Sequence, residues 1–409
     1  MLWIYRIVIW LYRNAAYVLS LKNEKAKRFI EGRKAQESLI DLFPEKRSTR
    51  YWIHAASLGE FEQARPLIEA LKSQDPDFEI VLTFFSPSGF EVRKNYELAD
   101  YVLYLPIDSV KNAHDFLNKT RPDLAIFVKY EIWYFYLREL QKRKTPTIFI
   151  SALFRQNQFY FHLGAGFMRK ALRGVNYFFV QGANSKKLLE SIGIDKVSIT
   201  GDTRLDSVVG LAEKKVVLPS IEEFIDNKPL IIFGSVWPSD MKVCEAFILS
   251  NLDKFKFIIA PHNIIPSEID KLSKLPKSFK YSEIPPRNKD LSIMIIDNIG
   301  LLSSLYRYAH VAYVGGGFNG TLHNTMEAAV YGIPVIWGRH ANNIKFVEAA
   351  GLQAAGGGFE VANVEDLKNT FDSLDREDQY NESAKAAKQY VYEGTGATAK
   401  IMNQLAEIL

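Results

Sequence analysis

The sequence has little cysteine and no pattern typical of a metal centre. Its 409 residues include a single cysteine, Cys244, which excludes an internal disulfide and a cysteine-cluster metal site and favours a reducing compartment. No spacing of His, Asp and Glu resembles a strong metal site, so we expect neither a metal nor a cofactor. The nucleophile-elbow pattern Gly-x-Ser-x-Gly is also absent, which argues against hydrolases of that type.

The sequence also lacks a strong charge of either sign. Its formal net charge of +4 is too small for this length to indicate nucleic-acid binding by itself, and no low-complexity tract is present. Hydrophobic residues make up 47% and charged residues 24% of the chain, as in folded globular proteins. The length favours two domains, since single cores seldom exceed about 250–300 residues.

The longest apolar stretch lies at the N-terminus. Residues 1–21 are apolar and aromatic, are followed by a basic flank up to Lys34, and lack the cleavage site of a secretory signal. Arg6 and Arg13 interrupt the stretch, which is costly in a membrane-spanning helix but tolerated in a helix that lies in the membrane surface. We therefore predict that residues 1–34 are a membrane anchor with a cytoplasmic basic flank. A helix packed on the protein's own body or on a partner is the alternative.

Short apolar runs alternate with helical patterns from Tyr51 onward, which predicts an α/β fold with parallel sheets. The predicted strands are Tyr51–Ala55, Glu79–Phe84, Tyr101–Leu105, Leu124–Val128, Thr147–Ser151, Tyr177–Val180, Leu230–Phe233, Phe257–Ala260, Ile293–Ile296, Val311–Val314 and Val335–Trp337. The two series of strands predict two Rossmann-like domains that face each other across a cleft, with ligands at the carboxyl ends of the strands. The predicted segments are the anchor 1–34, a first domain 35–212, a linker 213–228, a second domain 229–392 and a C-terminal helix 393–409 that packs back on the first domain.

A glycine loop follows the predicted strand Val311–Val314. Its glycines are Gly315, Gly316, Gly317 and Gly320. A helix predicted over residues 321–331 would leave amide N–H groups at its positive end for a phosphate. The loop formally matches the dinucleotide fingerprint, but the acidic residue expected about twenty positions later is missing, which argues against a dehydrogenase.

The predicted helix after this loop carries a second signal. His323 and Glu327 are four positions apart and would share one helix face, with Asn324 beside them. A carboxylate below a glycine loop can accept two ribose hydroxyls while the loop binds the phosphate, a combination that suits a nucleotide-activated sugar. For the pair alone, a solvated glutamate and a capping histidine would be the simpler interpretation.

The predicted first domain offers a candidate base directly after its first strand. Ser57, Gly59 and Glu60 lie in the pattern Ser-x-x-Glu, which is also that of a capping box. Catalysis and capping are equally compatible with the local sequence. Glu60 would stay ionised beside helix-end amides and could take a proton from an acceptor hydroxyl.

Further candidates follow other predicted strands. Lys129 and Glu131 lie at one strand end, where Glu131 could equally be a simple helix-start carboxylate. In the predicted second domain, Ser235 in a Gly-Ser turn and the pair Pro261 and His262 follow strands and would face the same cleft. A Gly-Ser turn at a helix start suits an anion.

Together, in this order, these motifs resemble those of the transferases of 3-deoxy-D-manno-oct-2-ulosonic acid (Kdo). The matching motifs are Trp52-Ile53-His54-Ala55-Ala56-Ser57-Leu58-Gly59-Glu60, Glu131-Ile132-Trp133, Gly201-Asp202-Thr203-Arg204-Leu205-Asp206, Gly234-Ser235, Ala260-Pro261-His262, and Gly315-Gly316 through His323-Asn324-x-x-Glu327-Ala328. The resemblance implies a two-domain GT-B fold and an inverting, metal-independent transfer of Kdo from CMP-Kdo to a lipid A precursor at the cytoplasmic face of the inner membrane.

Carried over residue by residue, the resemblance implies that Glu60 is the catalytic base and Glu131 a second catalytic glutamate. It implies that the nucleotide-sugar motif falls on Gly316, His323, Asn324 and Glu327. The candidate contacts to donor or acceptor are Ser57, Gly59, Lys129, Arg204, Asp206 and Arg339. The chain has Lys129 where the family often has an acid. Another GT-B transferase, a sugar-nucleotide epimerase and a non-catalytic nucleotide-sugar binding protein remain the alternatives.

Overall fold

The computed structural model describes residues 2–41, 43–214, 216–283 and 290–408, so predictions that fall on the remaining positions, Lys215 of the linker among them, lie outside the described residues. The chain forms two compact units. Unit 1 comprises Met1–Ser207 and Thr395–Leu409, and unit 2 comprises Val208–Gly394. Each unit has its own sheet, which confirms the prediction of two α/β units.

Unit 1 is built on a seven-stranded parallel sheet with the strand order β3-β2-β1-β4-β5-β6-β7. Its strands are β1 (Arg50–Ala55), β2 (Glu79–Phe84), β3 (Tyr101–Tyr104), β4 (Leu124–Val128), β5 (Thr147–Ala152), β6 (Tyr177–Val180) and β7 (Val197–Ile199). All residues of β1, β2, β4 and β5 are buried, because helices cover both faces of a parallel sheet and its strands are accordingly mostly apolar. The order of the first six strands is that of the Rossmann fold.

The helices of unit 1 that follow or precede these strands are α1 (Leu2–Ser20), α2 (Glu24–Asp41), α3 (Leu58–Gln74), α4 (Pro87–Arg93), α5 (Val110–Thr120), α6 (Tyr134–Arg143), α7 (Gly166–Leu172) and α8 (Ala183–Glu190). Helix α9 (Thr203–Glu213) begins in unit 1 and ends in unit 2. Helix α3 begins directly after β1 and runs through Pro66 without a break. Leu67 and Leu71 of this helix are buried in the same apolar cluster as Ile53 and Ile126 of the sheet. The helix that carries Glu60 is therefore fixed by the core.

Unit 2 repeats the architecture with the strand order β10-β11-β9-β8-β12-β13-β14. Its strands are β8 (Leu230–Val236), β9 (Lys256–Pro261), β10 (Ser278–Lys280), β11 (Ile293–Ile295), β12 (Val311–Val314), β13 (Val335–Gly338) and β14 (Gly358–Val361). Its helices are α10 (Pro219–Ile225), α11 (Pro238–Ser250), α12 (Pro266–Leu272), α13 (Leu302–Leu305), α14 (Met326–Ala329), α15 (Val347–Ala354), α16 (Val364–Leu374) and α17 (Glu377–Glu393). The predicted linker 213–228 contains α10, whose Ile221 and Phe224 are buried.

Three strands, β7, β10 and β14, were missing from the sequence-based prediction. All three are edge strands of their sheets, and they have only three or four residues each. An edge strand is covered less completely than a central one, so its sequence does not need the continuous apolar run that identifies a central strand. A prediction based on continuous apolar runs therefore does not find these three strands.

Helix α1 exposes most of its apolar side chains. It contains no buried residue, and Trp3, Trp10 and Val18 are 64%, 57% and 64% exposed. None of the helices in the described part of the chain combines the length and apolar character that crossing a bilayer requires. Helix α1 rests on unit 1 through a few residues, among them Tyr5, whose hydroxyl donates to the carboxylate of Asp108.

The C-terminal helix α18 (Ala397–Ile408) returns to unit 1. Its Ile401 and Leu405 are buried in the same cluster as Phe61 and Leu67 of α3. The start of α18 is held by Asp206, whose two carboxylate oxygens accept hydrogen bonds from the amides of Gly396 at 2.6 Å and Thr398 at 2.7 Å. The expectation that Asp206 contacts a substrate is therefore not supported, since its carboxylate caps a helix.

Substitution of Asp206 by alanine is expected to lower the free energy of unfolding by about 1–2 kcal/mol, the usual cost of removing a helix cap. Urea denaturation measures this loss. The control is Thr398→Val, which removes only the Thr398 hydroxyl bond to Asp206 and keeps both amide bonds, so it should cost less. Equal stability of Asp206→Ala and the unmodified protein would refute the capping role.

Candidate functional site

The candidate site of unit 1 lies where β1 and β4 end. These strands are paired in parallel, from Tyr51↔Leu124 to His54↔Phe127. The strand order of the sheet reverses between them, since β2 and β3 lie beyond β1 while β5, β6 and β7 lie beyond β4. Ligands of open α/β sheets bind at such a reversal point, outside the carboxyl ends of the strands.

Glu60 occupies the first turn of α3, just after β1. Its Oε1 lies 3.5 Å from the Nζ of Lys129, with the two side chains 14% and 16% exposed. Its Oε2 accepts a hydrogen bond from the hydroxyl of Ser57. Ser57 stands at the N-cap position of α3 but makes no side-chain cap bond, so the capping-box interpretation is wrong. Gly59 lies between Ser57 and Glu60 in the chain, and the Ser57 hydroxyl is used by the carboxylate.

Lys129 reaches Glu60 from an uncommon backbone conformation. Its φ is +60°, in the left-handed region that residues with a side chain rarely adopt. Its amide donates to the carbonyl of Ile150 at 3.0 Å, which fixes this conformation at the end of β4. Backbone strain of this kind often occurs at functional sites, where surrounding structure holds it.

Glu131 is the second carboxyl group at the same edge of the sheet. Burial raises its pKa to about 8, the negative charge of Glu60 adds to this effect, and the positive charge of Lys129 opposes it. Two carboxylates in one poorly solvated space repel, so one of them retains a proton. The structure thus gives Glu131 the role of the protonated group.

His54, at the end of β1, binds Trp133 and lies close to Glu131. The indole Nε1 of Trp133 donates to Nε2 of His54 at 3.0 Å, so Nδ1 carries the imidazole proton and donates to the hydroxyl oxygen of Thr83 at 2.9 Å. Burial lowers the pKa of His54 to about 3. Although Oε2 of Glu131 lies 3.9 Å from Nε2 of His54, this contact is not an ion pair, because the ring is neutral.

Arg204, a predicted substrate contact, is engaged within unit 1. Its Nη2 lies 2.7 Å from Oδ2 of Asp202, and Oδ1 of Asp202 accepts a hydrogen bond from the amide of Gln63 at 2.8 Å. The pKa of Asp202 is lowered, because the charge of Arg204 and these hydrogen bonds outweigh the effect of burial. Arg204 therefore joins α9 to α3 and has a structural partner.

The candidate site of unit 2 lies where β8 and β12 end, at the reversal point of the second sheet. The predicted Gly-Ser turn at a helix start is wrong, because β8 continues through Ser235 to Val236 and α11 begins at Pro238. Ser235 is itself strained, with φ at +52°. The strain lets β8 bulge against the glycine loop, since the register of β8 on β9 shifts between Gly234 and Val236.

The glycine loop is held by Asp240 of α11. Oδ2 of Asp240 accepts hydrogen bonds from the amides of Gly316 at 2.9 Å and Trp237 at 2.8 Å, and Oδ1 accepts from the hydroxyl of Tyr313 at 2.9 Å. Burial raises the pKa of Asp240, while these hydrogen bonds oppose the rise. The buried carboxyl group of Asp240 therefore links the starts of α11 and of the loop.

The glycines of the loop are required by close packing. A Cβ at Gly315 would lie 2.3 Å from the carbonyl oxygen of Ser235, and a Cβ at Gly317 would lie 2.2 Å from that of Gly338. Gly316 and Gly320 have φ values of +84° and +65°, which favour glycine. The protein's own backbone thus lies too close to Gly315 and Gly317 to leave room for a side chain.

The helix predicted over residues 321–331 is wrong. Helix α14 spans only Met326–Ala329. The side-chain oxygen of Asn324 accepts a hydrogen bond from the amide of Met326 at 3.2 Å, which delays the helix start. The amides of Thr321 and His323 donate to the carbonyls of Gly316 and Gly315. The sequence predicted free amides here for a phosphate, but these two amides already have acceptors within the protein.

The predicted donor residues His262 and His323 do lie together. The ring of His262 stacks on Trp237 at 4.1 Å and faces the ring of His323 at 4.6 Å. Nε2 of His323 is buried without a hydrogen-bond partner in the described part of the chain, and burial lowers the pKa of His323 to about 4. A buried neutral nitrogen with no partner is a group that a bound ligand can satisfy.

Two further predicted donor residues lie beside this stack. The side-chain nitrogen Nδ2 of Asn324 donates a hydrogen bond to Oε1 of Glu327 at 3.1 Å, so these two side chains are held together. Arg339, by contrast, is 57% exposed and lies 3.3 Å from Glu360.

A cavity of about 270 Å³ lies next to the stacked rings of Trp237 and His262. Its lining includes Val236, Trp237, Pro261, Met241 and Glu268. In the described ranges, no group of three or more His, Cys, Asp or Glu is arranged to hold a metal ion.

Two residues that organise these sites were missed by the sequence analysis. Asp240 follows a strand in the pattern Trp237-Pro238-Ser239-Asp240, and a proline at the first helical position with an acid two residues later is a signal of a helix start. His54 lies inside an apolar strand, and its position next to Trp133 depends on strand pairing. No local signal could have identified that contact.

Comparison with known proteins shows which family the chain is similar to. Residues 23–207 match the family model described as 3-deoxy-D-manno-octulosonic-acid transferase. A curated 3-deoxy-D-manno-octulosonic acid transferase of Rickettsia prowazekii is 26% identical over 336 residues, which are 79% of this chain and 71% of the relative. A bifunctional glycosyltransferase/methyltransferase of Fusobacterium nucleatum is 24% identical over 88% of this chain, and the match spans 57% of the length of that relative.

Solved structures show the fold class. The UDP-GlcNAc 2-epimerase of Neisseria meningitidis, bound to UDP-GlcNAc, matches with a TM-score of 0.57 and 19% identity, over 88% of this chain and all (100%) of the epimerase chain. At this identity the likeness concerns the fold alone. The fold is the two-unit α/β type called GT-B, as the sequence predicted.

The protonated state of Glu131 leads to a pH-dependent stability. The folded-state pKa of about 8 exceeds the ordinary value of 4.5, so the folded state binds the proton more tightly, and this group's contribution to stability is lost as pH rises from about 4.5 to 8. Relative to Glu131→Gln, the unmodified protein should lose up to about 1.4 kcal/mol of unfolding free energy per pH unit in this range.

Urea unfolding at several pH values between 5 and 8 measures the difference between the two proteins. The control is the exposed Glu97 of the same unit, whose change to Gln should leave the pH dependence as it is. Parallel pH profiles for Glu131→Gln and the unmodified protein would contradict the assignment of the proton to Glu131.

Proposed function

Because the chain belongs to the family of 3-deoxy-D-manno-octulosonic acid (Kdo) transferases, we propose that it transfers Kdo from CMP-Kdo to a lipid A precursor, lipid IVA, in lipopolysaccharide biosynthesis. The observation that carries this proposal is the pair Glu60 and Glu131 at the reversal point of the unit 1 sheet. A pair of carboxyl groups, one of which has a strongly raised pKa, is a usual arrangement for acid–base chemistry at neutral pH.

In the proposed reaction Glu60 is the general base. The acceptor hydroxyl oxygen attacks the anomeric carbon of Kdo on the side opposite the phosphate, and the Glu60 carboxylate takes up the hydroxyl proton. The bond between the anomeric carbon and the phosphate oxygen breaks, and CMP leaves with the electron pair. General-base assistance of this kind contributes about 10²- to 10⁴-fold to the rate.

Two neighbours support this role for Glu60. Lys129 lies 3.5 Å from its carboxylate and forms an ion pair with it. Glu131, which holds a proton as its raised pKa indicates, is proposed to donate a hydrogen bond to a substrate oxygen. Ser57 donates to the other oxygen of Glu60 and so fixes the direction of the carboxylate.

The CMP group of the donor is proposed to bind unit 2. Nε2 of His323, which is buried without a partner in the described residues, would accept a hydrogen bond from the nucleotide, and Glu327 with Asn324 would hold the ribose hydroxyls. Ser235, Pro261 and His262 border the same region. The glycine loop would shape it by its close backbone packing, and the proposed transfer uses no metal and no cofactor.

Helix α1 is proposed to attach the protein to the cytoplasmic face of the inner membrane, where its glycolipid acceptor resides. The observations behind this proposal are the exposed Trp3, Trp10 and Val18 and the basic residues that follow, such as Lys25 and Arg28. Exposed aromatic and aliphatic side chains next to lysines and arginines are typical of helices that bind anionic membrane surfaces.

Glu60→Gln tests the proposed chemistry. The variant should fold and bind CMP, while its transfer of Kdo from CMP-Kdo to lipid IVA falls about 10²- to 10⁴-fold, measured by the mass of the lipid product. The control is Glu69→Gln on the same helix, whose carboxylate is 45% exposed and pairs with Arg65; its rate should be that of the unmodified protein.

The same assay separates the parts of the proposal. EDTA should leave the rate unchanged if no metal is used. Near-normal turnover by Glu60→Gln would remove Glu60 as the base, and transfer from a UDP-sugar in place of CMP-Kdo would contradict the donor assignment. A lack of any lipid product with the unmodified protein would contradict the acceptor.

Trp10→Glu tests the membrane attachment. Replacing an exposed indole by a carboxylate on α1 should weaken binding to vesicles that contain anionic lipids by at least about tenfold, measured by co-sedimentation. Val92→Glu is the matched control, because Val92 is 54% exposed but lies on α4. Equal vesicle binding by the two variants would contradict attachment through α1.

A further inference from the structure

Helix α6 begins immediately after the segment Lys129–Trp133, yet its own N-cap residue cannot satisfy its first amides. The N-cap is Trp133, which makes no side-chain cap bond. The first N–H groups of a helix need acceptors from elsewhere. The placement of Glu131 and Trp133 therefore depends on whatever supplies those acceptors.

Asp108, from the loop before α5, supplies the acceptors. Its carboxylate accepts hydrogen bonds from the amide of Phe135 at 3.1 and 3.2 Å and from that of Tyr136 at 3.3 Å. Asp108 is only 1% exposed. A buried carboxylate that replaces the missing cap fixes the start of α6 and hence the end of the Lys129–Trp133 segment.

The remaining strong donor to Asp108 comes from helix α1. The hydroxyl of Tyr5 donates to Oδ2 of Asp108 at 2.5 Å, and the amide of Tyr134 lies 3.5 Å from the Tyr5 hydroxyl as a weak donor. The Tyr5 ring packs on the rings of Tyr134, Phe135 and Phe167 at 5.9, 5.9 and 6.2 Å. Tyr5 thus contacts both the cap and the first turn of α6.

A second path joins α1 to the same segment. The ring of Tyr12 lies 5.9 Å from that of Phe85, and Phe85 lies 4.6 Å from Trp133. Arg33 of α2 donates to the carbonyl of Phe85 at 2.7 Å, which holds Phe85 in place. Helix α1 therefore contacts the start of α6 directly, and it reaches the indole of Trp133 through Phe85.

From these contacts we propose that Tyr5 and Asp108 are positioning residues, which make the placement of Glu131 and Trp133 depend on the docking of α1 against unit 1. Helix α1 is then part of the catalytic assembly as well as an attachment to the membrane. This inference rests on the proposed function for its effect on rate, but the physical link between α1 and α6 can be measured without any substrate.

The test compares Tyr5→Phe with Tyr12→Phe. The first variant keeps the ring of Tyr5 and removes its hydrogen bond to Asp108. The second makes the same chemical change on the same helix, at a hydroxyl that has no hydrogen-bond partner within the described residues. Hydrogen exchange of the Phe135 and Tyr136 amides should become about tenfold faster in Tyr5→Phe, since their acceptor loses a partner, and should not change in Tyr12→Phe.

The catalytic consequence is read from the pH profile of kcat/KM. Loosening the segment lets water reach Glu131, which lowers its pKa, so the limb of the profile that reports Glu131 should move to lower pH in Tyr5→Phe. The charged and titratable groups that face Glu131 are His54, Glu60, Lys129, Tyr130, Arg155 and Tyr160. A general loss of folded protein would reduce the rate at every pH without moving the profile.

Asp108→Asn provides a second variant. It keeps one acceptor oxygen for the amides but loses the charge, so both its exchange rates and its profile should change more than those of Tyr5→Phe. Exchange rates of Tyr5→Phe equal to those of the unmodified protein would overturn the proposal, and so would faster exchange with an unmoved pH profile. If the unmodified protein transfers no Kdo, the exchange data still decide whether α1 holds α6, so the two failures are distinguishable.

Discussion

Two carboxyl groups share one partly buried space at the ends of β1 and β4, and only one of them can be charged there at low cost. Lys129 offers a single positive charge near both, at 3.5 Å from Glu60, while burial and repulsion keep the proton on Glu131. The neutral ring of His54 completes this balance, because a protonated imidazole would attract the charge to Glu131 instead. That the proton lies on Glu131 thus follows from where the sheet brings these side chains.

Both units use the same device at the reversal point of their sheets. A residue with positive φ lies at or near the end of a strand in each, Lys129 just after β4 and Ser235 within the end of β8. A buried aspartate also organises a nearby helix start, Asp108 in unit 1 and Asp240 in unit 2. The strained backbone aims a side chain or carbonyl, and the carboxylate satisfies amides that the local sequence leaves without acceptors.

The central strands could be predicted from the sequence because burial on both faces demands continuous apolar runs, whereas the edge strands β7, β10 and β14 carry no such signal. Glu60 and Lys129 were correctly placed after β1 and β4 for the same reason, whereas Ser235 lies inside β8. The prediction of a helix directly after the glycine loop was wrong, since Asn324 accepts a hydrogen bond from the amide of Met326 and delays the helix start. Contacts such as Tyr5 to Asp108 join residues 103 positions apart, so no pattern within one segment could indicate them.

The return of α18 to unit 1 has a consequence for how the chain is made. The core of unit 1 includes Ile401 and Leu405, which follow all residues of unit 2 in the chain. Unit 2 can therefore complete its core while unit 1 still lacks a helix against α3. During synthesis, the apolar surface of α3 that α18 covers therefore stays open while unit 2 is being made.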